Sequence, residues 1–136
     1  MHIITRTILV TAGVVGLMGS ASAADMTGAE IKAFLSDKTA YLETTAASAG
    51  GVAGQVVIYW SANGTALYRT PSGSMMHGTW EVKENTNCTA WKERPGTGCV
   101  RYDKAGEIVT VIDVKSGQVR AKIVKTAAGN VEKLAP

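Results

Sequence analysis

Both cysteines of the chain lie in one stretch, Asn87–Cys99 (NCTAWKERPGTGC), and are its most reactive side chains. A zinc site needs three or four ligands, which two cysteines and His77 do not comfortably supply. A redox-active pair is typically C-x-x-C at a helix start, and a cysteine nucleophile needs a histidine and a free thiol. If the segments that begin at Cys88 and Cys99 pair as a hairpin, their Cβ atoms lie opposite each other. The spacing therefore predicts a structural disulfide.

Three tryptophans, Trp60, Trp80 and Trp91, are the next residues of interest. One interpretation makes them core residues and plugs at the end of a small β-barrel. The other makes them the lining of a ligand cavity in the barrel mouth, where flat aromatic faces bind a small apolar molecule. Trp91 has the opposite parity from Cys88 in its strand, which predicts that it faces the interior.

Catalytic and metal-binding patterns are scarce. Met75-Met76-His77 offers soft ligands for copper(I), but three adjacent strand residues do not point to one centre. G-x-S-x-G, H-E-x-x-H and phosphate-loop motifs are absent from the sequence, and the carboxylates are dispersed. We therefore expect no metal, no cofactor and no enzymatic activity. A glycosidase-like carboxylate pair assembled by the fold stays open as an alternative.

The N-terminus predicts the compartment. A basic residue, Arg6, precedes the apolar run Thr7–Met18, and Ala21-Ser22-Ala23 fits signal-peptidase cleavage. We expect residues 1–23 to be a secretory signal peptide without a lipidated cysteine, and the protein to be periplasmic. The remainder predicts a single β domain over 24–126 and a flexible C-terminal tail over 127–136.

The secondary-structure elements that position these residues are predicted from the pattern of apolar, polar and turn residues. Thr27-Gly28-Ala29-Glu30 is a capping box, and Ile31, Phe34 and Leu35 form an apolar stripe, which predicts one helix from Thr27 to about Ser36. The small-residue stretch Thr45–Gly54 predicts a mobile loop. Short alternating segments separated by turn residues then predict about seven strands: Gln55–Trp60, Thr65–Arg69, His77–Glu84, Cys88–Glu93, Cys99–Asp103, Glu107–Lys115 and Gln118–Lys125.

These features favour a mainly β fold with one short N-terminal helix. Tight turns between consecutive strands indicate an antiparallel up-and-down meander, which hides its edges by closing into a barrel or half-barrel of the lipocalin-like, calycin-like kind.

The formal net charge of +3 is too small to imply a nucleic-acid partner. After the N-terminal segment, no run of apolar residues is long enough for a membrane span. Basic residues in the last hairpin indicate protection of a sheet edge: Lys115, Arg120, Lys122 and Lys125.

Several short motifs occur in a characteristic order: T-G-x-E-I from Thr27, a turn at Gly64, G-x-W from Gly78, C-x-x-W from Cys88, and Cys99. Taken together, they resemble the small secreted proteins of alphaproteobacteria, common in rhizobial relatives, that are known only as a domain of unknown function. The resemblance spans about Thr27 to Gly117 and implies a periplasmic β domain with one disulfide. In size, disulfide and compartment the chain is also similar to small barrels that inhibit proteases and lysozymes.

The sequence thus favours a non-catalytic periplasmic binding or interaction domain. Its partner is either a protein or a small apolar ligand of the cell envelope. Ligand binding would use Trp60, Trp80 and Trp91, whereas an inhibitor would use the loops Thr70–His77 or Arg94–Gly98. An open apolar interior of a few hundred Å³ separates the first alternative from the others.

Overall fold

The structure, a computed structural model, describes residues 24–44 and 53–136. The predicted signal peptide and most of the predicted loop Thr45–Gly54 lie outside the described residues. Within the described ranges, no helix is long and apolar enough to cross a membrane. The elements are β1 (Ala24–Asp25), α1 (Gly28–Leu35), β2 (Lys38–Thr44), β3 (Gly54–Trp60), β4 (Thr65–Arg69), β5 (Met75–Lys83), β6 (Thr86–Trp91), β7 (Thr97–Ala105), β8 (Ile108–Asp113) and β9 (Val119–Ala128).

Strands β2 to β9 form a closed antiparallel barrel. Each pairs with the next in the chain, and β9 pairs back onto β2 through contacts that run from Lys38 opposite Ala128 to Thr44 opposite Ala121. The two-residue strand β1 adds to β7, where Asp25 lies opposite Asp103. The predicted mainly β fold, an up-and-down barrel with one short helix, is therefore confirmed.

The sequence missed the two-residue strand β1 and one strand of the barrel, β2, which closes it. Ala40 and Leu42 point inward and are buried, whereas Thr39 and Tyr41 point outward. These outward-facing residues of β2 are covered by the C-terminal segment, so they need not be charged. The polar-out alternation typical of a half-buried strand is therefore weak here. The seven predicted strands are all present, with bounds that differ by up to three residues.

Helix α1 closes one end of the barrel. Its capping box is formed, since the backbone N–H of Thr27 donates to Oε2 of Glu30 at 2.8 Å and the backbone N–H of Glu30 donates to Oγ1 of Thr27 at 3.3 Å. Ile31 and Leu35 are fully buried in the same apolar cluster as the barrel interior. The absence of a side chain at Gly28 lets the helix start lie against the β5–β6 turn, because a Cβ there would be 2.0 Å from the carbonyl oxygen of Glu84.

The predicted disulfide is confirmed. Cys88 of β6 and Cys99 of β7 are directly opposite each other and are joined by a disulfide bond. The neighbouring residues Asn87 and Thr89 face the interior, so the disulfide lies on the outer surface of the barrel. It ties the β6–β7 hairpin together at the base of the Arg94–Gly98 turn.

The C-terminal segment differs from the predicted flexible tail. Strand β9 continues to Ala128, and the chain then folds back over the outer face of β2, β3 and β4. Leu134 is only 5% exposed and packs in a second apolar cluster with Val57 and Leu67. Asn130 holds the segment in a turn, accepting from the backbone N–H of Leu134 and donating to its carbonyl oxygen, each at 2.9 Å.

The disulfide should stabilise the protein measurably. The double variant Cys88→Ala/Cys99→Ala is expected to lose about 3 kcal/mol of unfolding free energy, because a short loop is no longer closed in the unfolded chain. Urea unfolding of the variant and of the oxidised parent measures the difference. A reducing agent should destabilise the parent to the same extent and leave the variant unchanged, whereas equal stability of oxidised parent and variant would contradict the prediction.

The C-terminal segment should contribute to stability through Leu134. Leu134→Ala is expected to reduce the unfolding free energy by about 2 kcal/mol, since it removes a buried side chain from the outer cluster. Val131→Ala is the matched control, because Val131 belongs to the same segment but is 50% exposed. Urea or thermal unfolding of both variants checks this. Two indistinguishable variants would show that the segment does not stay docked.

Candidate functional site

The end of the barrel opposite α1 is open and leads into a cavity of about 390 Å³. It lies at the ends of the strands where β4 joins β5, β6 joins β7 and β8 joins β9. Small inward-facing residues leave this space unfilled at the mouth, namely Thr44, Thr89, Gly98 and Ala121. The other lining residues are mostly apolar or aromatic: Leu42, Val56, Ile58, Trp60, Tyr68, Met76, Trp91, Val100, Tyr102 and Val111.

Four aromatic rings form a row from the closed end of the barrel towards the mouth. Trp80 meets Trp60 edge to face, with ring centroids 5.5 Å apart. Trp60 lies 6.4 Å from Trp91, which in turn lies 5.5 Å from Tyr68. These distances are those of favourable aromatic pairs, so the rings fix one another in place. One wall of the cavity is therefore a rigid aromatic surface.

Trp60 provides a buried hydrogen-bond donor at the cavity. Its side chain is 5% exposed, and its indole N–H has no acceptor among the described residues. Trp80 differs, because its indole N–H donates to the carbonyl oxygen of Ser61 at 2.8 Å. A buried N–H without a partner is costly. Trp60 therefore lies at the cavity with an indole N–H that is buried and unpaired among the described residues.

The interior also carries a buried polar pair. The side-chain amide of Asn87 donates to the hydroxyl oxygen of Tyr102 at 3.0 Å, and both residues are at most 2% exposed. Burial raises the pKa of Tyr102 well above its usual value, and the hydrogen bond from Asn87 acts in the opposite direction. Tyr102 therefore stays neutral at physiological pH, and it is one of the residues that line the cavity.

Gly78 determines where Trp91 lies. The two residues are opposite each other in β5 and β6. A Cβ at Gly78 would be 2.7 Å from Cε3 of the Trp91 ring and 2.5 Å from the carbonyl oxygen of Ala90. The indole therefore lies over the backbone of Gly78, in space that any other residue would occupy.

A β-bulge directs Arg120 to the mouth. Val111 lies opposite Ala121 and Ile112 opposite Val119, so Arg120 is the extra residue of β9. Its Nη2 is 3.0 Å from Oδ1 of Asp113. Because of the bulge, Val119 does not share the inward face of Ala121: Val119 is 46% exposed, and Arg120 lines the cavity.

Of the described residues that line the cavity, one is acidic, Asp113. Hydrogen bonds hold its carboxylate in place. The hydroxyl and backbone N–H of Ser116 donate to its Oδ2 at 2.7 and 2.8 Å. These hydrogen bonds, together with Arg120, hold the pKa of Asp113 below its ordinary value. Asp113 therefore stays ionised at neutral pH.

Arg94 brings a second positive charge to the mouth. It lies in the turn between β6 and β7, and the residues from Arg94 to Gly98 at the start of β7 all line the cavity. The Arg94 side chain has no hydrogen bond or ion pair with the described residues. Burial raises the pKa of the Tyr68 hydroxyl, and the nearby Arg94 charge opposes this shift. Arg94 is thus close to the aromatic wall, and its charge is unpaired within the described part of the chain.

The predicted ligand-binding residues are all in one aromatic row, but they differ in position. Trp60 and Trp91 line the cavity, and Trp91 faces the interior as its parity predicted. Trp80 does not line it, because it packs against Trp60 towards the end closed by the helix. Sequence reasoning missed Tyr68, whose position two residues after the inward Ala66 was the available signal. It also missed Asp113, which has the same parity as the inward Val109 and Val111.

The structure offers less support for the other candidate sites. In the described residues, His, Cys, Asp and Glu do not gather in any group of three or more that could hold a metal ion. Met75 and Met76 begin β5 on opposite faces, Met75 with the outer cluster and Met76 at the cavity. Comparisons of the chain with protein-family models, with characterised proteins and with solved structures find no match.

The close contact between Gly78 and Trp91 yields a prediction. Gly78→Ala should destabilise the protein by about 2 kcal/mol and change its tryptophan fluorescence, because the added methyl group displaces the Trp91 ring. Gly98→Ala is the matched control, since a Cβ there meets no atom within 4 Å. Unfolding curves and emission spectra of both variants check this. An unchanged emission spectrum and stability for Gly78→Ala would contradict the placement of Trp91.

Proposed function

We propose that this protein is a non-catalytic periplasmic binding protein that holds a small apolar molecule inside its barrel. The observation that carries the proposal is the open cavity of about 390 Å³ with mostly apolar walls. Cavities of roughly 300–1,000 Å³ with a few placed polar groups are typical of small-molecule sites. The leader-like residues 1–23 and the disulfide support the assignment to an oxidising, extracytoplasmic compartment.

Binding fits the chemistry of the cavity better than catalysis does. Within the described ranges, its wall contains one carboxylate, Asp113, which is already engaged by Ser116 and Arg120. General acid–base hydrolysis of the glycosidase type uses two carboxylates across a cleft. By contrast, an open cavity with an aromatic wall suits a bound molecule with an apolar body.

Ligand binding is also favoured over inhibition of a protease or lysozyme. The Arg94–Gly98 turn, one of the two loops that an inhibitor would use, forms part of the cavity wall. The first residues of the other loop, Thr70, Ser72 and Ser74, hydrogen-bond to one another, and its last, Met75–His77, belong to β5. Both loops thus have structural roles at the mouth.

The proposal is tested with N-phenyl-1-naphthylamine, an uncharged apolar probe whose fluorescence rises in apolar surroundings. The protein should bind one equivalent, and the variant Gly98→Phe should weaken binding at least tenfold. Gly98 faces the open mouth, and a Cβ there meets no neighbouring atom, so the phenyl ring enters the cavity without disturbing the backbone.

Val119→Phe is the control for this experiment. Val119 is close to the mouth in β9 but is 46% exposed and is not part of the cavity wall. The control should bind the probe as the parent protein does. Absence of saturable binding to the parent, or equal binding by Gly98→Phe, would refute the proposal.

A further inference from the structure

Arg94 differs from the other arginines of the described residues in having no acidic partner. Arg69 pairs with Glu132 at 3.4 Å, Arg101 with Asp25 at 2.6 Å and Arg120 with Asp113 at 3.0 Å. Arg94 lines the cavity mouth, and no carboxylate in residues 24–44 and 53–136 pairs with it. Its guanidinium therefore presents a fork of N–H donors that suits a carboxylate geometrically.

Two carboxylates, that of the preceding residue Glu93 and that of Asp113 in the cavity wall, are held in other interactions. Glu93 precedes Arg94, but its Oε1 lies 2.8 Å from Nδ1 of His77, and its Oε2 accepts from the backbone N–H of His77 at 2.9 Å. Those contacts hold the pKa of Glu93 below its usual value, so the carboxylate stays with His77 on the outer face of β5. Asp113 is similarly engaged by Ser116 and Arg120.

The charges that line the mouth are therefore not balanced. Arg120 and Asp113 compensate each other, whereas Arg94 leaves one positive charge beside the aromatic wall of Tyr68 and Trp91. A molecule that enters with its apolar part first would leave a polar end group at this level. The small residues Thr89 and Gly98 provide the space between the walls.

We propose, building on the proposed function, that the ligand is an amphipathic monocarboxylate whose apolar part fills the cavity and whose carboxylate pairs with Arg94 at the mouth. The acid group remains partly hydrated there, since Arg94 is exposed. The ion pair adds selectivity for the acid over a neutral molecule with the same apolar part.

The test compares dodecanoate with dodecanol, which share the same alkyl chain and differ at the end group. Each is used to displace N-phenyl-1-naphthylamine from the purified protein. Dodecanoate should bind about tenfold more tightly than dodecanol, because the charged hydrogen bonds form only with the acid. The variant Arg94→Gln should remove this preference, because it weakens the binding of dodecanoate about tenfold relative to that of dodecanol.

Lys92→Gln is the matched control, since it removes a positive charge two residues away at a position outside the cavity wall. It should keep the preference for dodecanoate, and Arg94→Lys should retain part of it. Equal affinities for acid and alcohol in the parent, or an unchanged preference in Arg94→Gln, would overturn the inference while probe binding still supports an apolar site. A parent protein that does not bind the probe overturns both.

Discussion

The pairing of β2 with β9 is the constraint on which the rest of the structure depends. Seven of the eight barrel strands follow one another through tight turns, but a meander of this kind has two free edges. The contacts between β2 and β9 remove both edges at once and turn the sheet into a closed wall. Only then does one face of every strand become an interior, with helix α1 at one end and an opening at the other.

A barrel of eight strands is just wide enough for side chains to fill. In this protein the filling is uneven along the axis. At the closed end, Ile31 and Leu35 of α1 pack in one cluster with Trp60 and Trp80. On one side of the mouth, the inward positions of β7, β9 and β2 carry Gly98, Ala121 and Thr44, which do not reach across the barrel. The cavity therefore follows from the small side chains at these inward positions near the mouth.

Much of the fold was accessible from the sequence because it rests on local patterns. Turn residues, alternation and a capping box gave the helix and seven strands, and the spacing of Cys88 and Cys99 gave the disulfide. Strand β2 was missed because its outer face is covered by residues far away in the chain, so that Tyr41 is partly buried where a polar residue would be typical. The same tertiary contact holds Leu134, in a segment for which the local sequence pattern predicts a flexible tail.

The candidate site was predicted only in part, for a related reason. Parity within a strand placed Trp91 inside, but parity fails at a bulge, and Arg120 reaches the mouth because β9 has an extra residue there. Because Arg120 lies at the mouth, it forms an ion pair with Asp113. Arg94 is then the charged residue of the cavity wall that has no partner among the described residues. The electrostatic character of the opening thus depends on one backbone irregularity. Without the bulge, Arg120 would point outward and Asp113 would be an uncompensated negative charge at the mouth, which would repel the anionic group that Arg94 attracts.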